Sequence, residues 1–391
     1  MRPQSLFTAA PLPVAELDDK GRLACLRLIR SENVGPITFR QLINHYGGAE
    51  AALEALPELS RRGGRGRPIR ICPKARAEAE LEAAANVGAR PIFTIEPGYP
   101  SVLAAVEAPP PLLYAKGMTD LLAQPMLAVV GSRQASAAGL KLARRFAAEL
   151  GKAGLVIASG LARGVDSTAH EAALQTGTVA VLAGGIDIVY PPEHEDLQRR
   201  IGETGCLLSE LPPGFQPRAQ AFPRRNRIIA GISLGVLVIE AARRSGTLVT
   251  ARLAGEMGRE VFAVPGNPLD PRAEGTNHLL KTGATLATEP SDVLEALEPM
   301  TGLSARAFHD QGAPMPSPEP PQTPPPLIGG EGRARVISAL GPAPIDIDAI
   351  VRGTGLTIRE VQIILMELDL AGRIDRHGGQ LVSLRPETDD C

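Results

Sequence analysis

Five short apolar runs between residues 126 and 264 constrain this chain more than any other feature. Met126–Val130 runs into Gly131, Leu155–Ala158 into Ser159-Gly160, and Val179–Ala183 into Gly184-Gly185. Leu234–Ile239 and Val261–Val264 repeat the form, the last ending at Pro265-Gly266. Runs this short and this continuously apolar suit strands that are covered on both faces. Helical patterns lie between them, at Gly139–Ala153 and Ser167–Gln175. The expected fold is α/β: an extended Rossmann-like, doubly wound parallel sheet over 83–298. Ligands in such a fold lie beyond the carboxyl ends of the strands, where the glycine turns are.

The flanks read differently. Residues 1–19 carry proline and small residues without periodicity and are expected to be a disordered lead-in. Residues 20–82 read as a helical domain of SAM or helix-hairpin-helix type. Asn33-Val34-Gly35-Pro36 stops one helix and starts the next, and Tyr46-Gly47-Gly48 makes a second break. One clear glycine and no adjacent lysine in the hairpin turn favour packing over a phosphate contact. Arg61, Arg62, Arg65, Arg67, Arg70, Lys74 and Arg76 follow with no acid among them. This stretch is expected to be a solvated interdomain loop, with an auxiliary phosphate contact as the alternative. Residues 299–331 are proline-rich and read as a linker. From 332 to 386, helices at Arg333–Leu340, Asp346–Arg352 and Thr357–Leu370 precede a hairpin of Arg373–Arg376 and Gln380–Leu384, which together make a winged helix.

A formal charge of −2 means that any polyanion site must come from local clustering. The four cysteines, Cys25, Cys72, Cys206 and Cys391, are far apart and show no metal-binding spacing. No metal and no cofactor are therefore expected. No apolar run approaches ~20 residues and the N-terminus has no signal-like core, so no membrane span and a cytoplasmic location are expected.

Four motifs carry the candidate chemistry. Gly131-Ser132-Arg133 follows a strand and is expected to open a helix, aiming amides and one guanidinium at an anion; glycine there also serves packing. Ser159–Asp166 adds a second such turn with Gly160 and Arg163, and Asp166 is expected to cap the helix near Ser167. Phe222-Pro-Arg-Arg-Asn-Arg-Ile228 reads as a loop. From 216 to 244 there are six arginines (218, 224, 225, 227, 243, 244) against one acid, Glu240. A ring among guanidinium groups suits single-stranded nucleic acid, because bases stack on the ring while cations hold the backbone. Ser245-Gly246 begins a further helix-opening turn.

The motifs GSR (131–133), SGLARGVDSTAH (159–170), FPRRNRI (222–228), EAARRSGTLVTA (240–251) and VPGN (264–267), in this order, resemble the DNA-processing protein A family, DprA/Smf. The resemblance spans about residues 20–385. It implies a single-stranded DNA-binding protein that protects incoming DNA and loads RecA recombinase during natural transformation. It also implies DNA contacts from Ser132, Arg133, Gly160, Arg163, Phe222, Arg225, Asn226 and Arg227, to which the glycine turns themselves add Gly131, Ser159, Ser245 and Gly246 as expected DNA-binding residues. A homodimer through Asn277, Leu279, Leu280 and Leu286 is implied as well. The loop at 222–228 precedes a strand, which by itself places it at the opposite sheet edge. It reaches the groove only if the stretch 212–223 folds back, as the resemblance implies. One departure stands out: Glu193 and Glu195 lie after Tyr190, where family members often carry a basic or Asn-type residue.

The alternatives are a Rossmann-like nucleotide-binding enzyme of phosphoribohydrolase type, using Glu240 or Asp166, and a winged-helix transcription regulator. The sequence has no GxGxxG and no GxxxxGK[ST], so no enzyme is expected. Residues 333–391 carry seven basic side chains against nine acids, the wrong sign for a major-groove reader. A protein-interaction or regulatory role is expected of that domain.

Overall fold

The computed structural model describes residues 16–64, 67–309, 330–377 and 379–385. Most of the lead-in, Arg65, and the linker from 310 to 329 lie outside the described residues. The chain forms two compact units: one holds Leu17–Glu78 together with the described residues from 330 onward, and the other begins at Ala79.

The first unit opens with three helices, α1 (Asp19–Ile29), α2 (Pro36–Tyr46) and α3 (Ala49–Arg62). Pro36 stands at the first position of α2, where its missing N–H costs nothing. Gly47 ends α2 in the left-handed conformation, at φ 73°. The segment after α3 is no free loop. Ile69 and Cys72 are buried, and Cys72 N–H donates to Ser31 Oγ at 3.1 Å. Its cations are paired as well: Arg61 and Arg62 with Glu58, Arg67 and Arg70 with Glu32, Lys74 with Glu78.

Next come α4 (Lys74–Asn86), β1 (Arg90–Phe93), α5 (Ser101–Ala104), β2 (Leu112–Gly117) and β3 (Met126–Val130). The chain continues through α6 (Ala137–Lys152), β4 (Val156–Ser159), α7 (Val165–Ala173), β5 (Thr178–Val181), α8 (Glu195–Thr204) and β6 (Cys206–Ser209). It then runs α9 (Ala221–Ile232), β7 (Gly235–Val238), α10 (Gly246–Glu256), β8 (Glu260–Ala263), α11 (Glu274–Lys281), β9 (Thr285–Leu286) and α12 (Pro290–His309). The nine strands form one sheet, ordered β1-β2-β6-β5-β4-β3-β7-β8-β9. From β6 through β9 all pairs are parallel, whereas β1 and β2 add an antiparallel edge. Phe146 and Leu150 of α6, Ala169 of α7 and Leu297 of α12 share a core with one face of the sheet. Leu103 of α5, Ile228 and Ile232 of α9 and Ala254 of α10 share a core with the other. The doubly wound expectation is met. The linker expected from 299 starts later, because α12 continues to His309 with Pro299 inside it.

The first unit is completed by α13 (Gly330–Ala339), β10 (Ile345–Asp346), α14 (Ile347–Thr354), α15 (Ile358–Leu370), β11 (Ile374–His377) and β12 (Leu381–Leu384), a winged helix with sheet order β10-β12-β11. A capping box, in which Thr357 and Glu360 exchange hydrogen bonds, fixes the start of α15.

Candidate nucleic-acid interface

After β3 the chain turns to β4, β5 and β6 on one side, then returns to lay β7 on the other. The crevice where such a sheet changes direction, at the carboxyl ends of β3 and β7, is the place where α/β folds bind ligands. Gly131-Ser132-Arg133 leaves β3 there and Ser245-Gly246 follows β7. Thr247 Oγ1 donates to the Gly131 carbonyl at 3.0 Å, tying the two turns together. Ser245 caps α10 by accepting from Thr247 N–H, as expected of a helix-opening turn.

The other two turns depart from expectation. Arg133 does not start a helix: α6 begins only at Ala137, capped by Ser136. That N-terminus already holds an anion of the protein itself. The Glu240 carboxylate accepts from Ser136 N–H at 2.9 Å and from its hydroxyl at 2.5 Å, where the helix dipole favours it. At the second turn, α7 begins at Val165 with Gly164 at its cap, so Asp166 lies within the first turn rather than at the cap. Buried Asp166 accepts from Gly160 N–H at 3.1 Å and Ala162 N–H at 3.4 Å. These amides are turned inward and are not displayed to a ligand. Burial raises the Asp166 pKa, and the neighbouring Arg225 charge opposes the rise.

Phe222-Pro-Arg-Arg-Asn-Arg-Ile228 is helical, forming the first two turns of α9. Pro223 falls in the first turn, where amides have no intrahelical partner and a proline is tolerated. Because α9 is the crossover from β6 to β7, its N-terminus starts at the carboxyl edge. Phe222 therefore reaches the groove by ordinary topology. Its ring lies 5.5 Å from that of Tyr190, tilted by 58°. The Arg133 guanidinium stands 5.5 Å from the Phe222 centroid and that of Arg225 6.0 Å, both within cation–π range. Arg133, Gly160, Arg163, Tyr190, Phe222 and Arg225 line one pocket.

The arginines of the cluster have divided fates. Arg225 is only 6% exposed, and one of its nitrogens donates to the carbonyls of Gly160 and, at 2.8 Å, Val181. A Cβ at Gly160 would collide with this guanidinium, which explains the glycine. Burial lowers the Arg225 pKa to about 10 against the pull of Asp166. Arg227 donates to the Ala108 carbonyl at 2.9 Å and pairs with Glu210 at 2.5 Å. Both side chains were expected to touch the ligand; here the guanidinium of Arg225 is engaged by the Gly160 and Val181 carbonyls, and that of Arg227 by the Ala108 carbonyl and Glu210. Asn226 donates to the Gly246 carbonyl at 3.5 Å, joining α9 to α10. Arg163 pairs with Glu193, so the acidic departure after Tyr190 neutralises a rim cation. Arg133 and Arg218 are exposed, and no ion pair involves either among the described residues.

His170 is buried, and its Nδ1 lies 2.7 Å from Thr178 Oγ1. The Thr178 hydroxyl proton goes to the Ile157 carbonyl at 2.7 Å, so Nδ1 is the donor and the ring is neutral. Burial, with the Arg225 and His194 charges, brings its pKa down to about 3.

Three family models match the chain: DNA recombination-mediator protein A over residues 90–298, a DprA-like N-terminal HHH domain over 19–83, and a DprA winged helix domain over 317–380. The chain belongs to the DNA recombination-mediator protein A family. It is 40% identical to Protein Smf of Escherichia coli over 73% of this chain and 75% of that one. It is 47% identical to DNA processing protein DprA of Streptococcus pneumoniae over 53% of this chain and 74% of the other. The X-ray structure of the Streptococcus pneumoniae DprA superposes with a TM-score of 0.59 at 37% identity, covering 70% of this chain and 96% of that one. In this family member, sequence reasoning missed Tyr190, which is 46% exposed beside Phe222. The available signal was its position shortly after the strand end at Gly184-Gly185, in a chain with only four tyrosines.

Proposed function

We propose that this DprA/Smf-family protein binds single-stranded DNA along the carboxyl edge of its sheet. The observation that carries this reading is the Phe222 ring, set beside Tyr190 and Arg133 in the pocket beyond the carboxyl ends of β3, β4 and β5. A ring and a guanidinium at one opening suit a stacked base and its adjacent phosphate. Arg133, Ser132, Tyr190, Phe222 and the Ser245-Gly246 turn make the contacts. Gly131, Ser159, Gly160, Arg163, Arg225, Asn226 and Arg227 shape and hold the surface.

Protection of the incoming strand, loading of RecA recombinase, a part in natural transformation and a cytoplasmic location follow from the resemblance to the family. The protein acts as a homodimer through α11 and β9. Leu286 is 51% exposed on the terminal strand of the sheet, Leu279 and Leu280 are half-buried, and Asn277 braces the turn at Gly266. The protein is not an enzyme. Glu240 and Asp166, the two acids a nucleotide-cleaving reaction would need, are engaged in holding α6 and the turn after β4.

A gel-shift comparison of single-stranded DNA, duplex and free nucleotides tests the proposal. Single strands are expected to bind many-fold more tightly than duplex, with affinity falling steeply with salt. Equal affinity for mononucleotides and oligomers, or turnover of a nucleotide, overturns it.

A further inference from the structure

α15 occupies the place of the helix that a winged helix lays into a DNA groove. Its composition is unsuited to that task. Val361, Ile364, Leu365 and Leu368 form one stripe, buried in the winged-helix core. Ile363, Met366, Glu367 and Leu370 form a second, at spacing i, i+3, i+4, i+7. At about 100° per residue it lies roughly opposite the first. Ile363 is 9% exposed, Met366 and Glu367 are 2%, and Leu370 is 0%, yet none of the four belongs to the winged-helix core. A helix apolar on two sides is covered on two sides.

The second stripe is covered by α2 and α3 of the same compact unit. Thr38 Oγ1 on α2 donates to Asp369 Oδ2 at 2.6 Å. Arg376 bridges the same carboxylate at 3.0 Å and Gln41 Oε1 of α2 at 3.3 Å. Asn33 Nδ2 donates to the Leu370 carbonyl at 2.9 Å. Gly63, at the end of α3, meets the α15 backbone so closely that a Cβ there would overlap the Glu367 carbonyl and touch Ala371. Gly63 has φ −65° and ψ −4°, a conformation open to any residue. The contact with α15, and no backbone demand, is what calls for glycine.

We propose that α15 is a docking helix whose partner is the α2–α3 face of its own chain, so that this winged helix fastens the two ends of the protein together and does not read duplex DNA. After the exposed Arg359 at its start, this face carries Ile363, Met366 and two carboxylates, Glu367, which pairs with Arg333, and Asp369, where a groove-reading helix would offer donors. The polar bonds around its rim set the register.

The test uses full-length protein with spin labels at Glu54→Cys and Arg352→Cys in a Cys391→Ser background; Cys25, Cys72 and Cys206 are buried. Pulsed electron-electron resonance is expected to give one narrow distance that survives dilution with unlabelled protein. Gly63→Leu, and separately Met366→Lys, should shift it to a longer, broader distribution while duplex affinity stays at the wild-type level. Met366→Lys supplies the answer if Gly63→Leu fails to fold. A distance unchanged in the folded variants overturns the proposal. Loss of the distance on dilution assigns the partner to a second copy and overturns the intrachain clasp. A several-fold gain in duplex affinity on opening identifies a shielded DNA reader and overturns the docking role.

Discussion

Two arginine-rich stretches, 61–76 and 218–244, look alike along the chain and differ in the fold. In the first, four arginines are answered by two acids outside the stretch, Glu58 and Glu32. In the second, Arg225 turns inward to serve carbonyls, and Arg227 pairs with Glu210. Arg218, Arg243 and Arg244 are exposed, and none makes an ion pair among the described residues. Counting charges along a sequence measures what could attract an anion. Which guanidinium groups remain available is decided by acids and carbonyls that the fold brings from elsewhere.

The largest expected effect comes from the inward-turned member. Arg225→Met takes the donor away from the Gly160 and Val181 carbonyls and the positive charge from the neighbourhood of buried Asp166, and should destabilise the fold by about 1–3 kcal/mol for each buried carbonyl left unsatisfied. Urea unfolding measures this, and a loss below about 1 kcal/mol would show that water replaces the guanidinium at these carbonyls. Phe222→Ala should leave the fold intact and weaken single-strand binding by about 1–3 kcal/mol with little change in salt dependence. Unaltered affinity would place the stacking surface elsewhere.

Buried His170 sharpens the contrast between interior and surface charge. Its folded pKa of about 3 lies below its ordinary 6.5, so between these values the unfolded chain takes up a proton that the folded protein refuses. The stability it contributes is complete above pH 6.5 and is lost toward pH 3, at about 1.4 kcal/mol per pH unit. Unfolding of wild type and His170→Gln at pH 7 and pH 5 should differ in slope; parallel curves would refute the assignment.

Arg133→Ala should flatten the slope of log affinity against log salt by about 0.7, the signature of one lost phosphate contact on a single strand. The smallest effect belongs to the first stretch. Arg67→Ala with Arg70→Ala should leave DNA affinity and salt slope unchanged and cost under about 1 kcal/mol of stability, as exposed pairs do. A drop in the salt slope in this double variant would mean that the two stretches share one ligand.

The legible parts of the fold were those with the strongest pattern. β3, β4, β5, β7 and β8 lie inside the sheet, and their apolar runs reported it. β9 has two residues and β1 is only half buried, so neither carries a comparable signal, whereas the apolar runs Leu112–Ala115 of β2 and Cys206–Leu208 of β6 were present and were passed over. The residues around the groove were named from their motifs, yet several roles were not readable. Nothing local distinguishes Arg225 from Arg224, although one is 6% exposed and the other lies outside. Pro223 and its neighbouring arginines suggested a loop; recognising a first-turn proline would have given a crossover helix, and with it the correct sheet edge. The second stripe of α15 was present in the sequence and was absorbed into a winged-helix pattern that needs only one.

The order of strands in the central sheet also bears on how the protein comes into being. β3 and β7 are neighbours in space, although α6 through α9 separate them along the chain. Contacts so remote in sequence form slowly, because a large loop must close before they exist. A growing polypeptide that has reached β6 already contains the turns at Gly131 and Gly160 but has neither Phe222 nor the crevice between β3 and β7. On the proposed reading the binding edge is complete only once α9 has delivered Phe222 and β7 has closed against β3, so a chain that stops at β6 lacks it.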